Sequence, residues 1–258
     1  MDGSGKKRFC FTYELALNLS ALVSRHTFLF RFHPASDERQ QLWGLETNCH
    51  PASALPLNLD AFGNLCACGH LEAPHEALSL RVRGDVLIRN KPVRSPCPDI
   101  YALPSPMTAS NAELWALSEG LSGDPAGMAM RIAERIRERV DYRKGVTDER
   151  TTALQAWSLG AGVCQDLAHL LLAALRAKHI PARYVAGLIP GEGETHAWVE
   201  VYDGGRFIGI DPTQLRMVDD EYLCVNRGRD SRDCAINHGV FAGTAMQTMS
   251  VYARMTEI

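Results

Sequence analysis

One stretch constrains this chain more than any other: Leu159-Gly160-Ala161-Gly162-Val163-Cys164-Gln165-Asp166-Leu167-Ala168-His169, a glycine-punctuated loop that runs into an apolar helix. From Leu167 the residues Leu170, Leu171, Ala174, Leu175 and His179 recur at helical spacing, and Pro181 stops the pattern. Cys164 therefore falls in the first helical turn. Unpaired N–H groups and the positive dipole end at a helix start favour the thiolate, which is the nucleophilic form of cysteine, and they also stabilise an oxyanion. Gly160 and Gly162 let the backbone come close to a substrate.

Beyond Pro181 the apolar period changes to two. Residues 183–189 read as a strand and Pro190-Gly191-Glu192-Gly193-Glu194 as an exposed loop. Residues 195–202 and 206–212 read as a hairpin turning at Asp203-Gly204-Gly205. With Asp203-Gly204 as a two-residue turn, Tyr202 opposes Gly205, Trp198 opposes Gly209 and His196 opposes Asp211. The other face then carries Val199 against Ile208 and Ala197 against Ile210, which is wholly apolar as a core face should be. Opposed residues have Cβ atoms roughly 4.5–5.5 Å apart, so Asp211 is placed to orient the His196 imidazole. A thiol at a helix start, an imidazole on a strand and a carboxylate on the next strand are the parts of acyl transfer through a thioester.

The first hundred residues read as strands. Phe11, Tyr13, Leu15, Leu17 and Leu19 alternate with polar or small residues, and Phe28, Phe30 and Phe32 share a face. Further short strands are expected at 42–49, 65–69, 77–82 and 85–90, with Asp60-Ala61-Phe62-Gly63-Asn64 as a turn. Prolines concentrate between Pro92 and Pro106, where fixed φ and missing donors mark a boundary. The expected organisation is an N-terminal antiparallel β-sandwich over 1–95, a proline-rich linker over 96–109 and a catalytic α+β domain over 110–258, with the cysteine helix packed on an antiparallel sheet. In that second part Ser110-Asn111-Ala112-Glu113 predicts a capped helix to about Glu119. Asp124-Pro125 predicts another, with Met128, Ile132, Ile136 and Val140 as its apolar stripe, and residues 151–157 a short third.

With 258 residues, 46% of them hydrophobic, the chain has enough apolar material for two cores. Its net charge of -3 and pI near 6.3 speak against nucleic acid or an anionic membrane as partner, and the basic stretch from Arg131 to Lys144 alternates with acids as a solvated helix face does. No secretory leader is read in Met1 to Arg8 and no run is apolar enough to span a membrane, so a cytoplasmic protein with eight mostly reduced cysteines is expected. Cys66-Ala67-Cys68-Gly69-His70, with His75 nearby, offers zinc-type side chains. A single residue between the cysteines does not suit a finger or ribbon, and the segment reads as a strand, so no metal or other cofactor is expected.

The segments 162–169, 180–185, 196–201 and 209–213 together resemble the bacterial transglutaminase-like superfamily of cysteine acyltransferases and proteases. Asp60-Ala61-Phe62-Gly63-Asn64 is similar to that family's N-terminal β-domain, and Gly228-Arg229-Asp230 with Gly239-Val240-Phe241-Ala242-Gly243 to its C-terminal segment. The resemblance implies a papain-like α+β core with Cys164 as nucleophile, His196 as base and Asp211 as orienter. One departure stands at Ser231, where other members often carry Tyr after Gly-Arg-Asp.

The expected function is cysteine-dependent acyl transfer on a peptide or amide substrate, with hydrolysis favoured because water is always present. Transglutaminase-type transfer to an amine is the alternative, and a catalytically silent binding module is the alternative of another class. Trp157, Trp198, Gly162, Gln165, Glu192 and Glu194 are the expected cleft residues, the two glutamates giving an acidic rim that favours neutral or basic peptides. His169 is expected as a hydrogen-bonded structural group, Arg229 and Asp230 as a local pair. Oligomeric state has no signature in the sequence.

Overall fold

The two aromatic alternations near the N-terminus form one strand rather than two. In the computed structural model, which describes residues 5–258, β1 spans Lys6–His33. Met1 to Ser4, part of the segment read for a leader, lie outside the described residues. In the first half of β1 the buried residues are odd-numbered, Phe9 to Leu19, and in the second half even-numbered, Phe28, Phe30 and Phe32. The change of phase falls near Arg25, at φ 47, where the pairing registers also break. An irregular residue there turns the strand, so both stripes enter a single core, and Tyr13 stacks on Phe32 with centroids 3.5 Å apart.

β2 (Gln40–His50) pairs with β5 (His75–Arg89), which pairs with β1, while β3 (Leu57–Leu59) pairs with β4 (Leu65–Leu71) and β4 with the second half of β1. His75 Nε2 lies 3.0 Å from His26 Nδ1, and Cys68 and His70 face away from this core. β6 is the short Val93–Arg94. The segment 96–109, expected to be a proline-rich linker, is packed against the second sheet and the Cys164–Ala177 helix. Tyr101 and Thr108 are buried, and the buried Arg176 guanidinium donates to Tyr101 O and Thr108 Oγ1 at 3.2 and 2.7 Å. Burying a guanidinium requires partners for its donors, and Ala182 O and Arg229 O, at 2.9 and 2.7 Å, accept two more of them.

The helices are α1 (Ala112–Ala116), α2 (Pro125–Arg137), α3 (Ala153–Leu159) and α4 (Cys164–Ala177), with two-residue strands β7 (Asp141–Tyr142) and β8 (Ala161–Gly162) paired in parallel. Asp124 caps α2 ahead of Pro125 as the sequence predicts, and Met128, Ile132, Ile136 and Val140 are buried against α4. The α1 cap is Asn111, whose side chain accepts from Leu114 N, and the helix is shorter than expected. α4 packs on an antiparallel sheet in the order β13 (Arg216–Met217), β12 (Arg206–Asp211), β11 (His196–Asp203), β9 (Ala182–Leu188), β14 (Leu223–Gly228), with β6 beside β12. The whole is an α+β architecture dominated by antiparallel pairing. No described helix is long and apolar enough to cross a membrane.

Two corrections concern the C-terminal third. β15 (Asn237–Ala242) and β16 (Gln247–Glu257), expected to close the second domain, return to the first and pair with β1, and β10 (Gly191–Gly193) pairs with β16. Long-range pairing of this kind leaves no local mark, because β16 has the same alternation wherever it docks. Arg229 binds Asp233 at 2.8 and 2.9 Å rather than Asp230, whose carboxylate accepts from Arg232 N. His169 is buried and its Nε2 accepts from Ser231 N at 3.2 Å, so the backbone of the departing residue meets the histidine.

Side-chain carboxamides tie the two sheets together. Gln40 Nε2 donates to Cys224 O at 2.7 Å and its Oε1 accepts from Cys224 N at 2.9 Å. Asn64 does the same with Arg227 at 2.8 and 2.7 Å. Each amide stands in for a neighbouring strand at the β14 edge. Beside them Glu200, 2% exposed, binds Arg183 at 2.6 Å and Arg227 at 3.3 Å, and Arg227 reaches Asp37 at 2.9 Å. Burial alone would raise the Glu200 pKa, but Arg183 and Arg227 outweigh it and hold the carboxyl down from 4.5 to about 2. Its folded pKa lies below its unfolded one, so this contribution to stability is present above pH 4.5 and is lost as pH falls toward 2. Glu200→Gln is expected to destabilise by about 3–5 kcal/mol, because the buried Arg183 guanidinium loses its counter-charge and Arg227 keeps only Asp37. Urea titrations at pH 7 and pH 3 check this: the deficit should be smaller at pH 3.

Candidate active site

Local chemistry at the start of α4 sets the position of Cys164. Gly160, at φ 66, ends α3 in the left-handed conformation that glycine tolerates. Asp166 folds back over the helix start, accepting from Val163 N at 2.8 Å and from Thr147 Oγ1 at 2.7 Å. It caps its own helix, which is more than complementing the dipole. A Cβ on Gly162 would lie 2.7 Å from the Asp166 side chain, so a side chain there would displace the cap. Cys164 is the first residue of α4 and is partly exposed.

His196 opens β11 and Asp211 ends β12. The hairpin between them turns at Gly204-Gly205, not Asp203-Gly204, because both glycines have positive φ, 56 and 85, as a two-residue hairpin turn requires. The register therefore slides by two, pairing Asp203 with Arg206, Glu200 with Gly209 and Val199 with Ile210. A slide of two leaves every side chain on its expected face. Asp211 becomes a diagonal neighbour of His196 instead of a direct one, and its Oδ2 lies 2.7 Å from His196 Nε2.

The Asp211 carboxylate is fully engaged. Oδ2 also accepts from the Tyr222 hydroxyl at 2.8 Å, and Oδ1 accepts from Thr213 N and Gln214 N at 2.8 and 3.1 Å. Burial opposes its charge, yet these donors, His196 foremost, hold its pKa below the ordinary carboxylate value. At His196 burial likewise works against the charged form, but hydrogen bonding to Asp211 and to Cys164 overcomes it and raises the imidazole to about 9. Nε2 serves Asp211, which leaves Nδ1 for Cys164.

Cys164 and His196 line one cleft of about 220 Å³ together with Tyr142, Lys144, Glu192, Glu194, Ala253 and Arg254. Glu192 and Glu194 line this cleft, but its rim is not acidic: Arg254 pairs with Glu192 at 3.3 Å and Lys144 joins it. The Pro190 to Glu194 segment is also no free loop, since Gly191 and Gly193, at φ 129 and 144, lie opposite Met255 and Ala253 of β16. Tyr142 and Lys144 join the site although their sequence, at the end of the basic stretch, has the alternating charge of a solvated face. Gln165 lies on the wall of a second, adjoining cavity.

Neither tryptophan reaches the cleft. Trp157 is buried in the helical core, its Nε1 donating to Glu113. Trp198 is fully buried under the dyad, edge-on to Tyr222 at 5.3 Å. A tryptophan next to a catalytic motif looks the same in sequence whether it faces a cleft or a core. The Trp198 ring needs Gly187, which pairs with His196 across β9 and β11: a Cβ there would sit 2.1 Å from Leu223 O and 2.4 Å from the indole. Gly187→Ala is expected to destabilise by about 1–3 kcal/mol and to displace His196, lowering kcat more than it changes KM. Thermal melts and steady-state kinetics together check it.

Residues 116–212 match the family profile described as the transglutaminase-like superfamily, and residues 11–87 match the bacterial transglutaminase-like N-terminal region. An uncharacterised protein of Mycobacterium leprae is 26% identical, with 88% of this chain and 91% of the relative covered. An uncharacterised protein of Mycobacterium tuberculosis is 28% identical, over 92% of this chain and 88% of its own. A crystal structure of a candidate cysteine protease from Cytophaga hutchinsonii superposes with a TM-score of 0.83 at 23% identity, covering 99% of this chain and 92% of that one, and thus shares the fold.

Proposed function

Residues 116–212 of this chain belong to the transglutaminase-like superfamily and residues 11–87 to the bacterial transglutaminase-like N-terminal region, and from that footing we propose that the protein is a cysteine-dependent acyl-transfer enzyme acting on peptide or amide bonds. The observation that carries the reading is the His196 imidazole held between Asp211 at 2.7 Å and Cys164, on a cleft open to solvent.

In this mechanism Cys164 Sγ attacks the amide carbon and the tetrahedral oxyanion forms at the start of α4, where helix N–H groups have no intrahelical partner. His196 holds the thiol proton and delivers it to the leaving amine, which departs as the C–N bond breaks and a thioester remains. Water then adds to the thioester carbon, giving a proton to His196, and the acid leaves as Sγ is released. Asp211 keeps Nε2 as the donor to itself, so that Nδ1 faces sulfur.

Hydrolysis is favoured over transfer to an amine because Lys144, Glu192, Glu194 and Arg254 make a polar, water-accessible rim. A silent binding module has no need of a carboxylate satisfied by four donors behind a histidine. The test is a peptide-library incubation with mass detection, wild type against Cys164→Ala. Cys164-dependent shortened peptides support hydrolysis, and peptides joined to an added amine support transfer. Identical product spectra for the two proteins would overturn the enzyme reading.

A further inference from the structure

The last strand carries an unpaired edge that leads to Cys164. Ser20 N donates to Met246 O at 2.9 Å and Ile258 N to Arg8 O at 3.0 Å. With the continuous β1–β16 register, these fix the parity: even-numbered residues of β16 exchange hydrogen bonds with β1, and odd-numbered residues point their N–H and C=O away from it. Of those, Ala253 and Met255 lie opposite Gly193 and Gly191 of β10. Gln247, Met249 and Val251 have no strand opposite their outward edge among the described residues.

The same odd-numbered side chains link two cavities. Ala253 and Met255 line the cleft that holds Cys164 and His196, while Gln247, Met249 and Val251 line an adjoining cavity of about 840 Å³. That cavity reaches Gln165 and Thr195, the sequence neighbours of Cys164 and His196, and Thr195 borders both spaces. Its wall is largely apolar and includes Met107, Ala186 and Ile236. An open strand edge beside such a wall suits an extended backbone with side chains projecting alternately, which is how a strand added to a sheet edge is recognised.

We propose that an unfolded peptide segment of the substrate pairs with the free edge of β16, continuing the line of β10, and is carried by that pairing to Cys164. The proposal rests on Cys164 being the nucleophile as read above. The substrate class is then an extended polypeptide recognised through its main chain, not a small amide.

The test uses alanine-based peptidyl chloromethyl ketones of one, two and four residues, whose chloride a cysteine thiolate displaces, with iodoacetamide as a reference lacking any peptide. Met249→Pro removes an outward N–H and leaves the β1 ladder intact, since the Met249 N–H faces away from β1 and its side chain is 54% exposed. Relative to each protein's own iodoacetamide rate, labelling of wild-type Cys164 should rise roughly tenfold from the shortest probe to the longest, as two backbone hydrogen bonds give. In Met249→Pro that rise should vanish. Equal rates at all lengths in the wild type, or an undiminished rise in Met249→Pro, would overturn the edge proposal while a reactive Cys164 stands. Failure of Cys164 to react with iodoacetamide would overturn the nucleophile and the edge together.

Discussion

Cys164→Ala is expected to fold as the wild type and to lose acyl transfer by on the order of 10⁴-fold or more, because the covalent step has no other donor of electrons. Cys164 is partly exposed at the first position of α4, and the helix is capped by Asp166 through Val163 N, not by the thiol. Loss of one sulfur at such a place should change stability by about 1 kcal/mol at most. Circular dichroism and a thermal melt check the fold, and turnover of any peptide that the wild type cleaves checks the chemistry. Cys164→Ser should be nearly as inactive, since a neutral hydroxyl is a far weaker nucleophile than a thiolate in a site arranged for sulfur.

Asp211→Asn is expected to cost roughly 10²–10⁴-fold in kcat without unfolding the protein. The amide has only one way to sit. Thr213 N and Gln214 N both donate to the Oδ1 position, so oxygen must stay there and the NH₂ must take the Oδ2 position, facing His196 and the Tyr222 hydroxyl. An NH₂ there donates to Nε2, which makes Nε2 the acceptor and puts the ring proton on Nδ1, so the neutral ring offers Cys164 no lone pair. The imidazole also loses the largest of the interactions that raise it to about 9. In the wild type, kcat/KM should fall as pH rises through about 9, and in Asp211→Asn that limb should move to lower pH. Stability follows the same sign: a histidine raised from 6.5 to about 9 contributes stability present below pH 6.5 and lost as pH rises through 9. A pH profile of kcat/KM with parallel melts separates this from a packing defect, which would leave the limb in place.

What the sequence made legible was whatever depends on period and face. The helix start at Cys164, the apolar stripe of α2 and the two aromatic stripes of β1 follow from local spacing, and all are in place. The His196–Asp211 contact survived a wrong turn because the hairpin slid by two, an even number; a slide of one would have put Asp211 in the core. Tyr222, which holds Asp211 from the other side, was not foreseen, since a single tyrosine in residues 219–225 has no pattern to mark it. The carboxamide clamps of Gln40 and Asn64 and the return of β16 to β1 join residues far apart in sequence, where neither propensity nor spacing reaches. Trp157 and Trp198 are not cleft residues for a related reason: burial depends on what packs against a face, and the helical core covers Trp157 while Val185, Tyr222 and Cys224 cover Trp198.

The proposed chemistry turns on a thioester at one sulfur, and mass spectrometry after acid quench reads it directly. The protein is mixed with p-nitrophenyl acetate, quenched within the first turnovers, digested and mapped over its eight cysteines. The expected result is one acetyl group on Cys164, present in the wild type, lost on incubation as water discharges it, and absent from Cys164→Ala. Acetylation spread over the other cysteines, or equal labelling of the wild type and Cys164→Ala, would contradict the assignment of Cys164 as the nucleophile.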